Sequence, residues 1–236
     1  MRTIAIGDLH GNDKWKQVVL KENFDKIVFV GDYFDSFEIP TMKQLENFRD
    51  LIAYKKANTD RVVLLLGNHD FHYTRFCKKE YKGFSAARKM AVEQDLNDAI
   101  KGDLIQACYF TDTIIFSHAG VTMNWCENNG MVMHNPEGCT EFPNMGKIND
   151  FLKFSPRIFE YISGGDPSGD DVYQSPIWVR PNSLRKDKLY GFTQVVGHTY
   201  QDNLVLSDDG IVLIDTFNSS GEYLVIENNK FYANKI

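Results

Sequence analysis

Residues 1–70 of this chain alternate between two hydrophobic periods. Apolar runs at Thr3–Ile6, Lys26–Val30 and Val62–Leu66 are separated by stretches with helical spacing, Trp15, Val18, Val19 and Glu22 in the first and Met42, Leu45, Phe48 and Ile52 in the second. Asn12 or Asp13 is placed to cap the first helix, and Pro40 to open the second. Val62–Leu66 is apolar throughout, as a strand covered on both faces must be. Strand, helix, strand, helix, strand predicts a parallel sheet, and such a sheet gathers its functional loops at the carboxyl ends of its strands.

The residues at the end of each run narrow the chemistry. The first run ends at Gly7-Asp8-Leu9-His10-Gly11. Side chains i and i+2 of an extended strand point the same way, so Asp8 and His10 can close on one cation. One Asp-x-His is a common accident, and an acid after a strand often only caps a helix. Here the pattern returns at Gly31-Asp32-Tyr33-Phe34-Asp35, Gly67-Asn68-His69-Asp70, Ser117-His118-Ala119-Gly120 and Gly197-His198-Thr199. The five strand ends supply Asp8, His10, Asp32, Asn68, His118 and His198 as candidate metal ligands. Oxygen and imidazole donors without thiolate suit Mn, Fe or Zn, and six are enough for two ions sharing one carboxylate. Two divalent ions against Asp8, Asp32 and a bridging hydroxide leave a net charge of about +1, which favours an anionic phosphate.

The remainder of the chain returns to the same themes. A helix is predicted over Ser85–Ile100, then strands at Ile105–Phe110 and Thr113–Phe116 joined by a tight turn near Asp112. Residues 121–176 are rich in Asn, Gly, Pro and Asp, with helical character over Ile148–Ile162 broken at Pro156. A stretch of that length inside a compact domain is usually functional, and it is read as a cap over the site. Thr193–Val196 is a further β run ending at Gly197-His198-Thr199, and Leu204–Leu206, Ile211–Ile214 and Tyr223–Ile226 are expected to form an antiparallel sheet. The 236 residues are read as one domain.

Several function classes are excluded. A formal charge of -6 with no dense Lys or Arg run argues against a nucleic-acid partner. No apolar stretch approaches the roughly 18 residues of a membrane span, and the chain starts directly on a strand, so a cytoplasmic protein is expected. Cys77, Cys108, Cys126 and Cys139 are far apart with no Cys-x-x-Cys, which points to free thiols in a reducing compartment.

The five ordered segments, running from residue 7 to residue 199, resemble the motifs of the calcineurin-like metallophosphoesterases, in the branch of Ser/Thr protein phosphatases, bacteriophage phosphatases and symmetrical diadenosine tetraphosphate hydrolases. His198 is followed by Thr199 and Tyr200, which resembles the phosphoprotein phosphatase branch and departs from Gly-His-x-His phosphodiesterases. The resemblance implies an α/β fold of two β-sheets packed as a sandwich between helices. It implies two divalent metal ions, Mn before Fe or Zn, the first held by Asp8, His10 and Asp32, the second by Asp32, Asn68, His118 and His198. It assigns the nucleophile to a metal-bridging hydroxide, the general acid to His69 oriented by Asp35, and phosphate contacts to Asn68 and to Arg180 of Pro176-Ile177-Trp178-Val179-Arg180. Asp35 keeps the alternative of a helix cap, and Arg180 that of an ordinary surface arginine.

One departure stands out: Ser36-Phe37 occupies the place of the family's Arg-Gly after Asp35, and Arg75 is the candidate replacement. His72 and His134 match no motif and are read as surface or cap residues, and Trp178 either packs or stacks on a substrate base. The expected function is phosphomonoester hydrolysis on a phosphorylated protein. A dinucleoside polyphosphate hydrolase is the alternative enzyme, and a catalytically silent binding module on the same fold is the alternative class.

Overall fold

The computed structural model describes residues 1–132, 144–163, 166 and 168–236. Cys139 and His134 lie outside the described residues. Two β-sheets face each other. The first carries β1 (Arg2–Ile6), β2 (Lys26–Phe29), β3 (Val62–Leu65) and β4 (Ile105–Gln106) in parallel, extended beyond β1 by antiparallel β10 (Glu222–Glu227) and β11 (Lys230–Lys235). The second has β6 (Ile114–Ser117), β7 (Thr193–Val196) and β9 (Ile211–Leu213) in parallel, with β5 (Cys108–Phe110) and β8 (Val205–Leu206) antiparallel on the edges.

Strand alternation divides the core. Ala5, Val28, Val30 and Leu65 point between the sheets and meet Phe116, Val195, Val212 and Ile214 from the other side. The intervening residues Ile4, Ile6, Phe29 and Leu64 pack outward on the helices. These are α1 (Trp15–Lys21), α2 (Thr41–Ala57) and α4 (Ala86–Lys101), with α7 (Pro181–Lys186) seating Leu184 on the far face of the second sheet. Pro40 opens α2 as expected, and Ser85, expected as the first residue of the next helix, instead caps α4 by accepting from Arg88 N. The cap of α1 is Lys14, whose N–H reaches Asn12 Oδ1 at 2.9 Å, so Asn12 makes the preceding turn instead. Met42, expected on the buried face of α2, is 56 % exposed, and Leu51 takes the inward place.

Two expectations for strands are corrected. The run Ile105–Phe110 splits at Ala107 into β4 and β5, which belong to different sheets. Asn149 makes the break possible: its Oδ1 accepts from Ala107 N and Cys108 N at 2.9 and 3.0 Å, and its Nδ2 donates to Cys108 O, satisfying the backbone where the ladders stop. The late strands do not form one antiparallel sheet either. β7 and β9 are parallel members of the second sheet, while β10 crosses to pair with β1.

Residues 121–176 hold α5 (Met123–Asn128), which the sequence did not announce, α6 (Gly146–Phe154) and a 3₁₀ turn at Pro156–Phe159. The helix break at Pro156 is as expected. Trp125, Ile148, Leu152 and Phe159 enter the main core, so the described part of this stretch is built into the domain. No helix of the described residues is long and apolar enough to cross a membrane.

Candidate metal centre

Strand register brings the motif ends together. Ile6 is level with Phe29 and Phe29 with Leu64 in the first sheet, and Ser117 is level with Val196 in the second. The chain leaves each of these strands toward one edge of the sandwich. Leu9 N and His10 N both donate to Asp32 O, at 3.1 and 2.7 Å, and His118 Nδ1–H reaches across to Val30 O at 2.9 Å. His198 N donates to both carboxylate oxygens of Asp8 at 3.1 Å. His10, Asp32, Asp35 and His198 have φ of 44°, 53°, 71° and 63°, a left-handed backbone that side chains with a Cβ rarely adopt. The turns that present these groups therefore hold strain of about 1–3 kcal/mol per residue, which the packed strands beneath must offset.

All six predicted ligands converge. Donor atoms of Asp8, Asp32 and His118 lie within 4.8 Å of one another. Asp32 Oδ2 is 3.8 Å from His10 Nε2 and 3.4 Å from His118 Nε2, so one carboxylate stands between the two halves of the set. Asn68 Oδ1 is 2.8 Å from His118 Nε2 and 2.9 Å from His198 Nδ1.

Proton positions decide what these contacts mean. His118 spends Nδ1–H on Val30 O, His10 spends its Nδ1–H on Phe34 O at 2.6 Å, and His198 donates Nε2–H to Trp178 O at 3.1 Å. The opposite nitrogen of each ring then carries a lone pair, and backbone acceptors have fixed which one. Burial, with help from neighbouring cationic groups, lowers the pKa of His10 to about 4 and of His118 to about 3, and pushes His198 far down as well, so all three rings are neutral. His118 Nε2, His198 Nδ1 and Asn68 Oδ1 thus face each other as acceptors with no proton between them, and Asp32 Oδ2 stands 3.4 Å from His118 Nε2.

Asp8 and Asp32 are 1 % exposed, and burial together with nearby carboxylates raises both well above the ordinary carboxyl range. A cluster of unprotonated nitrogens and crowded carboxylates is an environment that a cation relieves, and the residues present fit a metal of mixed oxygen and imidazole preference.

His69 and Asp35 form the pair expected of them, Nδ1 to Oδ2 at 2.7 Å, and His69 N also donates to Asp32 Oδ1 at 2.9 Å. Asp35 is not a helix cap. Burial works against its charge, but hydrogen bonds from His69 and Tyr73 and the His72 ring against it outweigh burial and hold the carboxyl far below its ordinary range. Arg88, from the first turn of α4, is paired with the same Asp35 Oδ1 that Tyr73 OH reaches.

His72, expected at the surface, is instead 1 % exposed, with Nε2 2.7 Å from Asp35 Oδ2 but off the axis of a good hydrogen bond. Asp35, His69 and His72 are a second group of metal-type donors, but Arg88 already neutralises its only carboxylate.

Arg180 borders the centre, where Nη1 donates to His198 O and Thr199 Oγ1 at 2.9 and 3.2 Å and Nε donates to Ser168 O at 3.0 Å. Only Nη2 is left to turn outward, so the two-pronged fork expected from the sequence is largely committed to the protein. Arg75 is exposed and lies over the ring of Phe76, so it does not replace the missing arginine. Trp178 packs, 8 % exposed, against Tyr81 and Tyr161 at ring distances of 4.5 and 5.3 Å.

Sequence reasoning missed Arg88, Asp215 and Asn218. Asp215 comes directly after β9 and Ile214, at a sixth strand end, and its carboxyl is raised by burial to about 6. An apolar run ending at Ile214-Asp215 was the available signal. Asn218 donates to Asp8 O at 2.7 Å and accepts from Asn12 at 2.9 Å, and Arg88 sits in an unremarked helix turn.

Comparison with known proteins completes the picture. A family model described as calcineurin-like phosphoesterase matches residues 1–208. A search of curated proteins by sequence finds no match. Among solved structures, a protein serine/threonine phosphatase from Saccharomyces cerevisiae aligns with TM-score 0.58 and 12% identity, over 100% of this chain and 80% of that one. A metallophosphoesterase from Sphaerobacter thermophilus aligns with TM-score 0.54 and 12% identity, over 100% and 88%. At such identity these likenesses speak for the fold.

Proposed function

Because this chain belongs to the calcineurin-like phosphoesterase family, we propose that it is a dinuclear metal-dependent phosphatase that removes phosphate from phosphoserine or phosphothreonine in proteins. The observation that carries the reading is the meeting of His118 Nε2, His198 Nδ1 and Asn68 Oδ1 as acceptors around one buried place, with the Asp32 carboxyl beside them. Two divalent ions, Mn²⁺ before Fe²⁺ or Zn²⁺, would be held by Asp8, His10 and Asp32 on one side and Asn68, His118 and His198 on the other with Asp32 shared, and they supply Lewis acidity to the phosphoryl group and acidify water.

The chain's own residues do the rest. Asp35, kept anionic by Arg88 and Tyr73, accepts Nδ1–H of His69, so the imidazolium form of that ring carries its second proton on Nε2, hands it to the departing alkoxide and returns to the neutral Nδ1–H form. Asn68 and Nη2 of Arg180 border the phosphate. From the described part of the stretch read as a cap, the Ser168 carbonyl steadies Arg180. Trp178 supports a protein over a dinucleoside polyphosphate, since its ring is packed between tyrosines and has no free face for a base. All six donors are retained, which speaks against a silent binding module. Buried free thiols at Cys77, Cys108 and Cys126 agree with a cytoplasmic enzyme.

Asp32→Asn and His118→Ala are each expected to abolish Mn²⁺-dependent hydrolysis of p-nitrophenyl phosphate while the circular dichroism spectrum is retained. Full activity in either variant would overturn the metal assignment. A panel of phosphopeptides, dinucleoside polyphosphates and phosphodiesters decides among substrates.

A further inference from the structure

A groove of about 490 Å³ opens beside the candidate centre, with His10 and His69 on its inner wall and residues 36–39 on its outer wall. Its place matters because the atom that takes a proton from His69 belongs to the leaving group, so whatever is attached to that atom must lie on this side of the phosphate.

The outer wall is firmly built. Ser36 Oγ accepts from Glu38 N at 3.2 Å and from Ile39 N at 3.0 Å, closing a turn. Gln44, fully buried, holds Ser36 through its backbone N and O at 3.3 Å each and also donates to Ile39 O. Arg88 Nη2 donates to Ser36 O at 3.3 Å. Where the family motif places a phosphate-binding arginine, this chain thus has a serine that organises a braced turn. At its tip Phe37 is 89 % exposed, with no ring partner among the described residues. An isolated exposed phenylalanine needs no explanation, but one held on a rigid turn beside a reactive histidine is a contact waiting for a ligand.

Charge selects among ligands. Lys14 at one end and Glu38 on the outer wall line the groove, and neither has an ion-pair partner among the described residues. Asp35 also lines the groove but is paired with Arg88, so Lys14 and Glu38 are left as one cation against one anion, which gives no field for a leaving group made of further phosphates, and Glu38 would repel it. A neutral or zwitterionic leaving group with an apolar body fits both walls.

We propose that this groove is a leaving-group subsite for phosphopeptides that carry an apolar side chain next to the phosphorylated residue, with that side chain seated on Phe37. The inference rests on the phosphatase reading of the centre. It makes Phe37 a specificity-determining residue that takes no part in the chemistry.

The test uses the full chain loaded with Mn²⁺ and phosphoserine peptides that differ only in having Leu, Phe or Ala at one position flanking the phosphoserine on either side. The wild-type enzyme is expected to favour Leu or Phe over Ala at one flanking position by about three- to tenfold in kcat/KM, carried by KM, as one aromatic contact supplies. Phe37→Ala should erase that preference while leaving kcat on the Ala peptide and inhibition by inorganic phosphate unchanged. The exposure of the side chain removes folding as a confounder. A preference that survives in Phe37→Ala, or no preference in the wild type, overturns the subsite. Hydrolysis of dinucleoside polyphosphates that falls in Phe37→Ala overturns the peptide as occupant. Failure to hydrolyse any phosphopeptide by enzyme active on p-nitrophenyl phosphate would instead fell the protein-phosphatase reading itself.

Discussion

At the scale of single residues, the least expected feature is how much of the protein is committed to one carboxylate. Asp35 takes donors from His69 and Tyr73, has the ring of His72 against it and is paired with Arg88. The family resemblance announced only His69; His72, Tyr73 and Arg88 lie outside the motif that supplies Asp35, and no spacing rule picks them out. The arrangement forces Asp35 to act only as an acceptor, which keeps one proton of His69 on Nδ1 and makes Nε2 the nitrogen that gains and gives up the second. For His69→Asn the expected result is normal metal content with kcat reduced about a hundredfold or more on alkyl phosphates and much less on p-nitrophenyl phosphate, because an activated aryl oxide leaves without a proton. Arg88→Met should show the same dependence on leaving group at about tenfold in kcat with KM unchanged, together with a loss of about 3 kcal/mol in stability from an unpaired Asp35. Equal losses on both substrates would refute the general-acid assignment.

Among elements, the strands do the positioning and the turns after them carry the function. The turn residues His10, Asp32, Asp35 and His198 are four of the seven non-glycine residues with positive φ among those described, the others being Asp or Asn in loops. Glycines make the crowding between turns possible. A Cβ on Gly67 would fall on the carboxylate and backbone N of Asp32, and one on Gly197 would fall on the carboxylate of Asp8. Gly67→Ala is therefore expected to cost about 1–3 kcal/mol in a denaturant titration and to lower bound Mn²⁺ by displacing Asp32. Unchanged stability and metal content would mean that the turn has slack which the packing does not suggest. Other elements were harder to read. The break in Ile105–Phe110 depends on Asn149, more than forty residues away, and β11 has the polar composition of an edge strand, buried too little to carry a hydrophobic pattern.

For the whole molecule, the charge of the centre dominates the balance between fold and pH. In the metal-free protein burial raises Asp70 to about 7 and Asp215 to about 6, and Asp8 and Asp32 well above their ordinary values. A carboxyl that binds its proton more tightly folded than unfolded makes stability fall as pH rises from the unfolded pKa through the folded one. His10, His118 and His198 are shifted down and act in the opposite sense, adding stability with rising pH up to their unfolded value of 6.5. Above that value the histidines are neutral in both states and only the carboxyls still discriminate. The melting temperature of chelator-treated protein should accordingly decline from about pH 6.5 to about pH 8, and Mn²⁺ should raise it more at the higher pH. A flat profile with no metal effect would mean that the acids are not crowded in the folded chain.

The amino-acid order determined the alternation of strands and helices up to Leu66, the two-sheet class through the family resemblance, and the six converging candidate donors, because each of these is written in local periodicity or in a short segment at a strand end. Tertiary structure alone decided which sheet the late strands join, that Arg88 rather than Arg75 stands near Asp35, that Asp215 and Asn218 attend the centre, and that Arg180 is mostly spent on backbone carbonyls. The physical reason is range. A strand end announces itself within five residues, whereas an ion pair or a buried hydrogen bond is made between groups that only the packed core brings within about 3 Å of each other.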